Sequence, residues 1–168
     1  MLKTHRAAAL AAITALAAGP ALADTSAAAA AFERLKTLEG SWQLQGQPEH
    51  GLRIGFSTSA RGSVLIEEWT YQGAPHSLTL YHRDGDTLLA THYCPQGNQP
   101  RMALTSGTDD TIRFAFRDVT DYDPASEQHQ HDLSFSWSGA GPLERSEIYR
   151  DGEGADHPSG LTLERAAD

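Results

Sequence analysis

The chain has 168 residues, 39% of them hydrophobic and 21% charged, with a formal net charge of −9 and one cysteine. That length is one domain's worth, and the acidic balance argues against nucleic acid and anionic membrane surfaces, both of which need basic patches. A lone Cys94 excludes an internal disulfide, so this thiol is expected to be buried, metal-bound, reactive or paired between chains.

Lys3, His5 and Arg6 make a basic start, followed by an apolar run from Ala7 to Ala18 that Gly19-Pro20 ends. Ala21-Leu22-Ala23 then reads as a small-x-small cleavage site. The run is shorter than the roughly 20 apolar residues that span a bilayer. Residues 1–23 are therefore expected to be a signal peptide, and no stable membrane insertion is expected after cleavage. The mature protein would be periplasmic or secreted. Residues 24–31 form an alanine-rich lead-in, and residues 32–168 are expected to be one barrel domain.

Phe32, Leu35 and Leu38 recur at helical spacing and predict a short helix that Gly40 stops. From there the pattern is β. A first strand runs from Ser41 to Gln45. Leu52, Ile54 and Phe56 alternate with polar or small residues, and Val64 to Tyr71 is a second long run with Trp69 and Tyr71 on one face. Ser77–Arg83 and Asp86–Cys94 flank Asp84-Gly85, a hairpin signal because tight hairpin turns need positive φ. A two-residue loop at Asp84-Gly85 would set Ser77 opposite His92, with His92 and Cys94 on the face of Leu88 and Ala90. Strands follow at Arg101–Thr105, around Ile112, Phe114 and Phe116, and over His129 to Trp137. In the last of these, His129, His131, Leu133, Phe135 and Trp137 share a face by simple alternation. Asp118–Gln128 and Asp151–Gly160 read as acidic loops, and Leu143–Arg150 and Gly160–Arg165 as the final strands. About ten evenly spaced strands joined by short turns predict an all-β, antiparallel, up-and-down barrel.

Gly40-Ser41-Trp42, entering the first strand from a helix, resembles the opening of lipocalins and other calycins. The resemblance implies a Trp that closes one barrel end and meets an Arg from a late strand, for which Arg165 is the candidate. The stretch His92-Tyr93-Cys94-Pro95-Gln96-Gly97-Asn98-Gln99-Pro100-Arg101-Met102 resembles a motif of small exported bacterial β-barrel proteins of uncharacterised function. It implies a shared barrel and no particular activity. Nitrobindin-like barrels hold haem through a His near the C-terminus. The last predicted strand here, Leu161 to Arg165, carries none, so haem is not expected.

A barrel of about ten strands is wide enough for a cavity, so the leading expectation is a small, partly apolar ligand in the interior. Phe114, Phe116, Phe135 and Trp137 would line it, and His92, Arg101, His129 and His131 would orient its polar end. A second expectation is a Zn or Cu site. His92 with Cys94, and His129 with His131, are two pairs of same-face ligands, and together they would make a four-coordinate set if the strands meet. A third is a small hydrolase or isomerase in the barrel mouth with Cys94 as nucleophile. No residue pattern marks a catalytic set: there is no nucleophile elbow, phosphate loop or dinucleotide fingerprint. Pro95 to Pro100 is accounted for by turn chemistry.

Overall fold

The computed structural model describes residues 26–167, so the expected signal peptide lies outside the described residues. Ten antiparallel strands close into one barrel: β1 (Gly40–Leu44), β2 (Leu52–Ser59), β3 (Val64–Tyr71), β4 (Ala74–Asp84), β5 (Thr87–Tyr93), β6 (Gln99–Gly107), β7 (Thr111–Thr120), β8 (Gln128–Ser136), β9 (Leu143–Asp151) and β10 (Asp156–Arg165). Each strand pairs with its neighbours in the chain, and β1 pairs with β10 to close the ring. The expected up-and-down topology is what forms. Closure removes the free strand edges that would otherwise invite pairing with other chains.

Helix α1 (Ala27–Lys36) plugs one end of this ring. Ser26 caps it, its hydroxyl accepting a hydrogen bond from the Ala29 amide at 3.2 Å. Ala28, Ala31, Phe32 and Leu35 are buried, so the alanine-rich lead-in supplies half of the plug. Small side chains let the helix approach β6: Ala31 sits close enough to Gly107 that a Cβ there would lie 3.1 Å from the Ala31 methyl.

The plug is latched where the barrel closes. Trp42 pairs with Arg165 across β1 and β10, and the guanidinium lies 4.2 Å above the indole. The Trp42 Nε1–H donates to the Leu38 carbonyl at 2.8 Å, and Arg165 donates to the carbonyls of Thr37, Leu38 and Glu39. These carbonyls follow the last helical turn, where a cation is favoured by the helix dipole and by otherwise orphaned acceptors. The geometry requires Gly40: its φ is +119°, and a Cβ would sit 2.6 Å from Arg165 Nη1.

Two local departures from the expected pattern change which side chains meet, and the second also changes which face inward. The β4–β5 loop is Gly85-Asp86, not Asp84-Gly85 as expected, because Asp84 still pairs with Thr87. Only Gly85 takes positive φ, at +60°, as a glycine-first hairpin turn requires. Moving the loop by one residue shifts pairing by two and preserves the faces. Thr79, rather than Ser77, therefore lies opposite His92. In β8 a bulge between Gln130 and Asp132 breaks the expected alternation. Leu133 and Phe135 face inward, but above the bulge the inward position belongs to Gln130, paired with Tyr149, while His129 pairs with Arg150. His129 and His131 are thus not on the face of Leu133 and Phe135.

The two barrel ends differ. At the plugged end Phe32, Leu35, Leu38, Trp42, Leu65, Leu88, Ile112, Trp137, Leu143 and Leu163 form a dry core. At the other end inward-facing side chains reach solvent: Trp69, Ser77, Leu161 and Leu44 are half-buried, and Ser159 and His157 are exposed. This end is the mouth. Gly40→Ala is expected to lower stability by about 1–3 kcal/mol through backbone strain and displacement of Arg165, read as a fall in the midpoint of thermal or urea unfolding. An unchanged midpoint would contradict the latch.

Candidate functional site

Between the dry core and the mouth lies a layer of charge. Arg145 on β9 is 1% exposed and Glu67 on β3 is fully buried, and their side chains meet across the barrel at 2.9 Å. Arg145 also binds Glu147 at 2.7 Å, while Trp69 and Tyr81 donate to the Glu67 carboxylate. Gln130 donates to Glu147 at 2.7 Å and Ser159 at 3.2 Å. Arg145 lies 4.6 Å over the Trp69 ring. Burial by itself would favour a neutral guanidine, but Glu67 and Glu147 outweigh it and hold Arg145 charged. Glu147 is opposed by burial as well, and Arg145 keeps it below the usual carboxylate range. Tyr81 is raised by burial and by Glu67, so it stays a phenol and donates.

On the mouth side of this layer sits His92. It is 3% exposed. Its Nδ1 is 2.9 Å from Thr79 Oγ1 and its Nε2 is 3.2 Å from the Tyr149 hydroxyl. Burial, then Arg145, lowers its pKa from 6.5 to about 4, so it is neutral at physiological pH. Cys94, two residues on, is half-buried and within hydrogen-bonding reach of Tyr149. Burial raises its thiol and Tyr149 likewise, which leaves the sulfur protonated and a poor nucleophile at neutral pH.

The remaining expected site residues lie elsewhere. Phe114 and Phe135 are 1% and 0% exposed and pack on Tyr81, with centroids at 5.7 and 6.1 Å, below the charged layer. Trp137 sits at the plugged end under Arg34, whose guanidinium is 4.0 Å from the ring. Arg101 is on the outside, bound by Asp118 at 2.5 and 2.6 Å. Phe116, His129 and His131 form a ring cluster where the β7–β8 ladder stops at Ala115 and Asp132. There His131 stacks on Phe116 and Tyr122 meets His129 edge-on. Burial lowers the pKa of both histidines, whose facing nitrogens are 3.3 Å apart.

The expected four-ligand metal set therefore does not assemble: His92 and Cys94 share the mouth floor with Tyr149, while His129 and His131 pair in the seam. Among the described residues, no group of three or more His, Cys, Asp or Glu side chains is placed to hold a metal ion. No protein-family model matches the chain, and no curated protein matches its sequence.

The turn from Cys94 to Asn98 is a clasp. The Cys94 amide donates to the Asn98 carbonyl, and Asn98 Nδ2 donates to Glu127 at 2.9 Å and to the Gln128 carbonyl at 3.0 Å. Gln96 accepts from the Gln128 amide at 2.9 Å. It joins the β5–β6 turn to the start of β8. A shallow groove of about 550 Å³ lies on the outer wall over Ser134, Ser146 and Gly160, flanked by Arg113, Ile148 and Pro158, and Glu147 and Ser159 also contribute to its lining.

Sequence reasoning missed Glu67, Arg145, Glu147, Tyr149 and Gln130. For Glu67, Arg145, Glu147 and Tyr149 the signal was parity; Gln130 carried none, because the β8 bulge brings it inward against simple alternation. Glu67 alternates with Leu65 and Trp69, and Arg145 with Leu143, so each charge falls on a buried face.

Arg145→Met is expected to cost about 3–5 kcal/mol by leaving Glu67 buried and unpaired, and adding Glu67→Gln to recover part of it. A double-mutant cycle in urea checks this, and strictly additive effects would argue against the pair. His92 gives a pH signature. Its folded pKa lies below its unfolded value, so the unfolded state takes up the proton first. Stability is fully present above pH 6.5 and falls as pH drops towards 4, by up to about 3 kcal/mol from this group. His92→Gln should flatten that segment of the stability profile, and an unchanged slope would contradict a buried neutral imidazole.

Proposed function

We propose that this chain is an exported, calycin-like barrel that binds a small, partly apolar molecule at its open end. The observation that carries the reading is the change in the inward-facing side chains along the barrel axis. Below Arg145 they are dry and packed. Above it they become a partly exposed mixture of apolar walls, with Trp69, Leu161 and Leu44, and fixed polar groups, with Glu147, His92, Tyr149 and Ser159. Apolar walls with a few placed polar groups are the usual composition of a small-molecule site. The binding locus is the mouth, since Phe114 and Phe135 belong to the packed floor.

The polar groups are already oriented before any ligand arrives. Thr79 and Tyr149 hold the His92 ring from both nitrogens, and Gln130, Ser159 and Arg145 hold Glu147. Preorganised groups spare a ligand the entropic cost of ordering them. Titratable groups displaced from their ordinary pKa values, gathered at one opening, support the same reading.

The test is a titration of the mature chain with the neutral fluorescent probe N-phenyl-1-naphthylamine. A single saturable phase is expected. Trp69→Ala should weaken it about tenfold, while Trp137→Phe, at the plugged end, should not. Absence of saturable binding, together with no co-purifying small molecule by native mass spectrometry, would overturn the reading.

A further inference from the structure

We infer that the mouth selects a ligand bearing a protonated amine, which Glu147 and Gln130 receive at the floor of the opening. The inference rests on the binding reading above and names the chemical class of its ligand. The charged layer holds two carboxylates, Glu67 and Glu147, against one guanidinium, Arg145. Burial keeps the neighbouring Tyr81, Tyr149 and His92 neutral, so Arg145 is the one cation facing these two carboxyl groups.

That charge is not shared evenly. Glu67 is fully buried and accepts from Arg145, Trp69 and Tyr81, so its oxygens are occupied. Glu147 is 16% exposed, and it lies between Arg145 and Tyr149 on the inward face of β9. Its Oε2 accepts from Arg145 and Gln130, but its Oε1 accepts only the 3.2 Å bond from Ser159, an exposed residue that can turn away. A carboxylate oxygen has two lone pairs, and one of these is unused.

Gln130 gives an independent indication of the same chemistry. It is fully buried, and its Nε2 is committed to the Glu147 carboxylate, which fixes the amide so that Oε1 is the free end. Oε1 is buried with no hydrogen-bond partner. A buried orphan acceptor costs about 1–3 kcal/mol, and a donor placed beside it relieves that cost. Glu147 Oε1 and Gln130 Oε1 are thus two under-used acceptors in one hydrogen-bonded unit, beside two carboxyl groups that share one guanidinium. A primary ammonium, with three N–H donors and one positive charge, matches all of these, while Trp69 and Leu161 can cover its apolar remainder. An anionic head would face Glu147 instead.

The experiment compares octylammonium, octanol and octanoate, which share a chain and differ in head group, binding to the intact mature protein by calorimetry at neutral pH and low salt. Octylammonium is expected to bind about tenfold more tightly than octanoate, with octanol between them. Glu147→Gln should reduce the preference for ammonium over octanol several-fold without abolishing octanol binding. The comparison among ligands on the unaltered protein stands even if that variant fails to fold. Octanoate binding as well as or better than octylammonium, or a folded Glu147→Gln protein with an unchanged preference, would overturn the amine assignment while leaving mouth binding intact. If none of the three binds, both the assignment and the binding reading fall.

Discussion

Arg145 is the side chain around which the interior is built. A guanidinium that is 1% exposed cannot be left unpaired, because desolvating a charge costs several kcal/mol even after relaxation. It draws Glu67 from the facing wall and Glu147 from its own strand, and these in turn recruit Tyr81, Trp69, Gln130 and Ser159. The network joins β3, β4, β8, β9 and β10 at one level of the barrel. Below it the interior excludes water, and above it inward-facing groups meet solvent.

The plugged end supports this arrangement from beneath. Helix α1 covers the floor, and Arg165 and Trp42 tie the carbonyls after its last turn to the seam where β1 and β10 close. A barrel with one end sealed and the other open has a single axial opening, so the polar layer can serve one face only. The clasp from Cys94 to Asn98 is likewise structural: Asn98 and Gln96 anchor the β5–β6 turn to Glu127 and Gln128. The chemically conspicuous stretch of the sequence mainly holds a rim in place, and His92 and Cys94 are its members beside Tyr149 in the mouth.

Much of the fold was legible because it depends on period and punctuation. Alternation gave nearly every strand, glycine-containing turns gave the hairpins, and the Gly40-Ser41-Trp42 entry pointed to Arg165, which does lie over Trp42. That His92 and Cys94 share a face with Leu88 and Ala90 followed from alternation, and it survived the one-residue displacement of the loop to Gly85-Asp86 because pairing shifts by two; which face turns inward was not legible, since both faces of that strand carry apolar residues. The β8 bulge was not legible. It inserts one residue without altering composition, and by doing so it turns His129 and His131 off the inner face and brings Gln130 onto it.

The sequence by itself determined an all-β chain of about ten strands with a helical entry, and in most strands it determined which side chains share a face, since side chains alternate along a strand whatever lies opposite. Only the tertiary structure decided the site. Glu67 and Arg145 are 78 residues apart in the chain and belong to strands that are not hydrogen-bonded neighbours, so nothing local relates them. They meet because the ring closes, and closure turns two unfavourable buried charges into one paired layer. The β8 bulge, in turn, separates His92 from His129 and His131, which local spacing alone had suggested as partners.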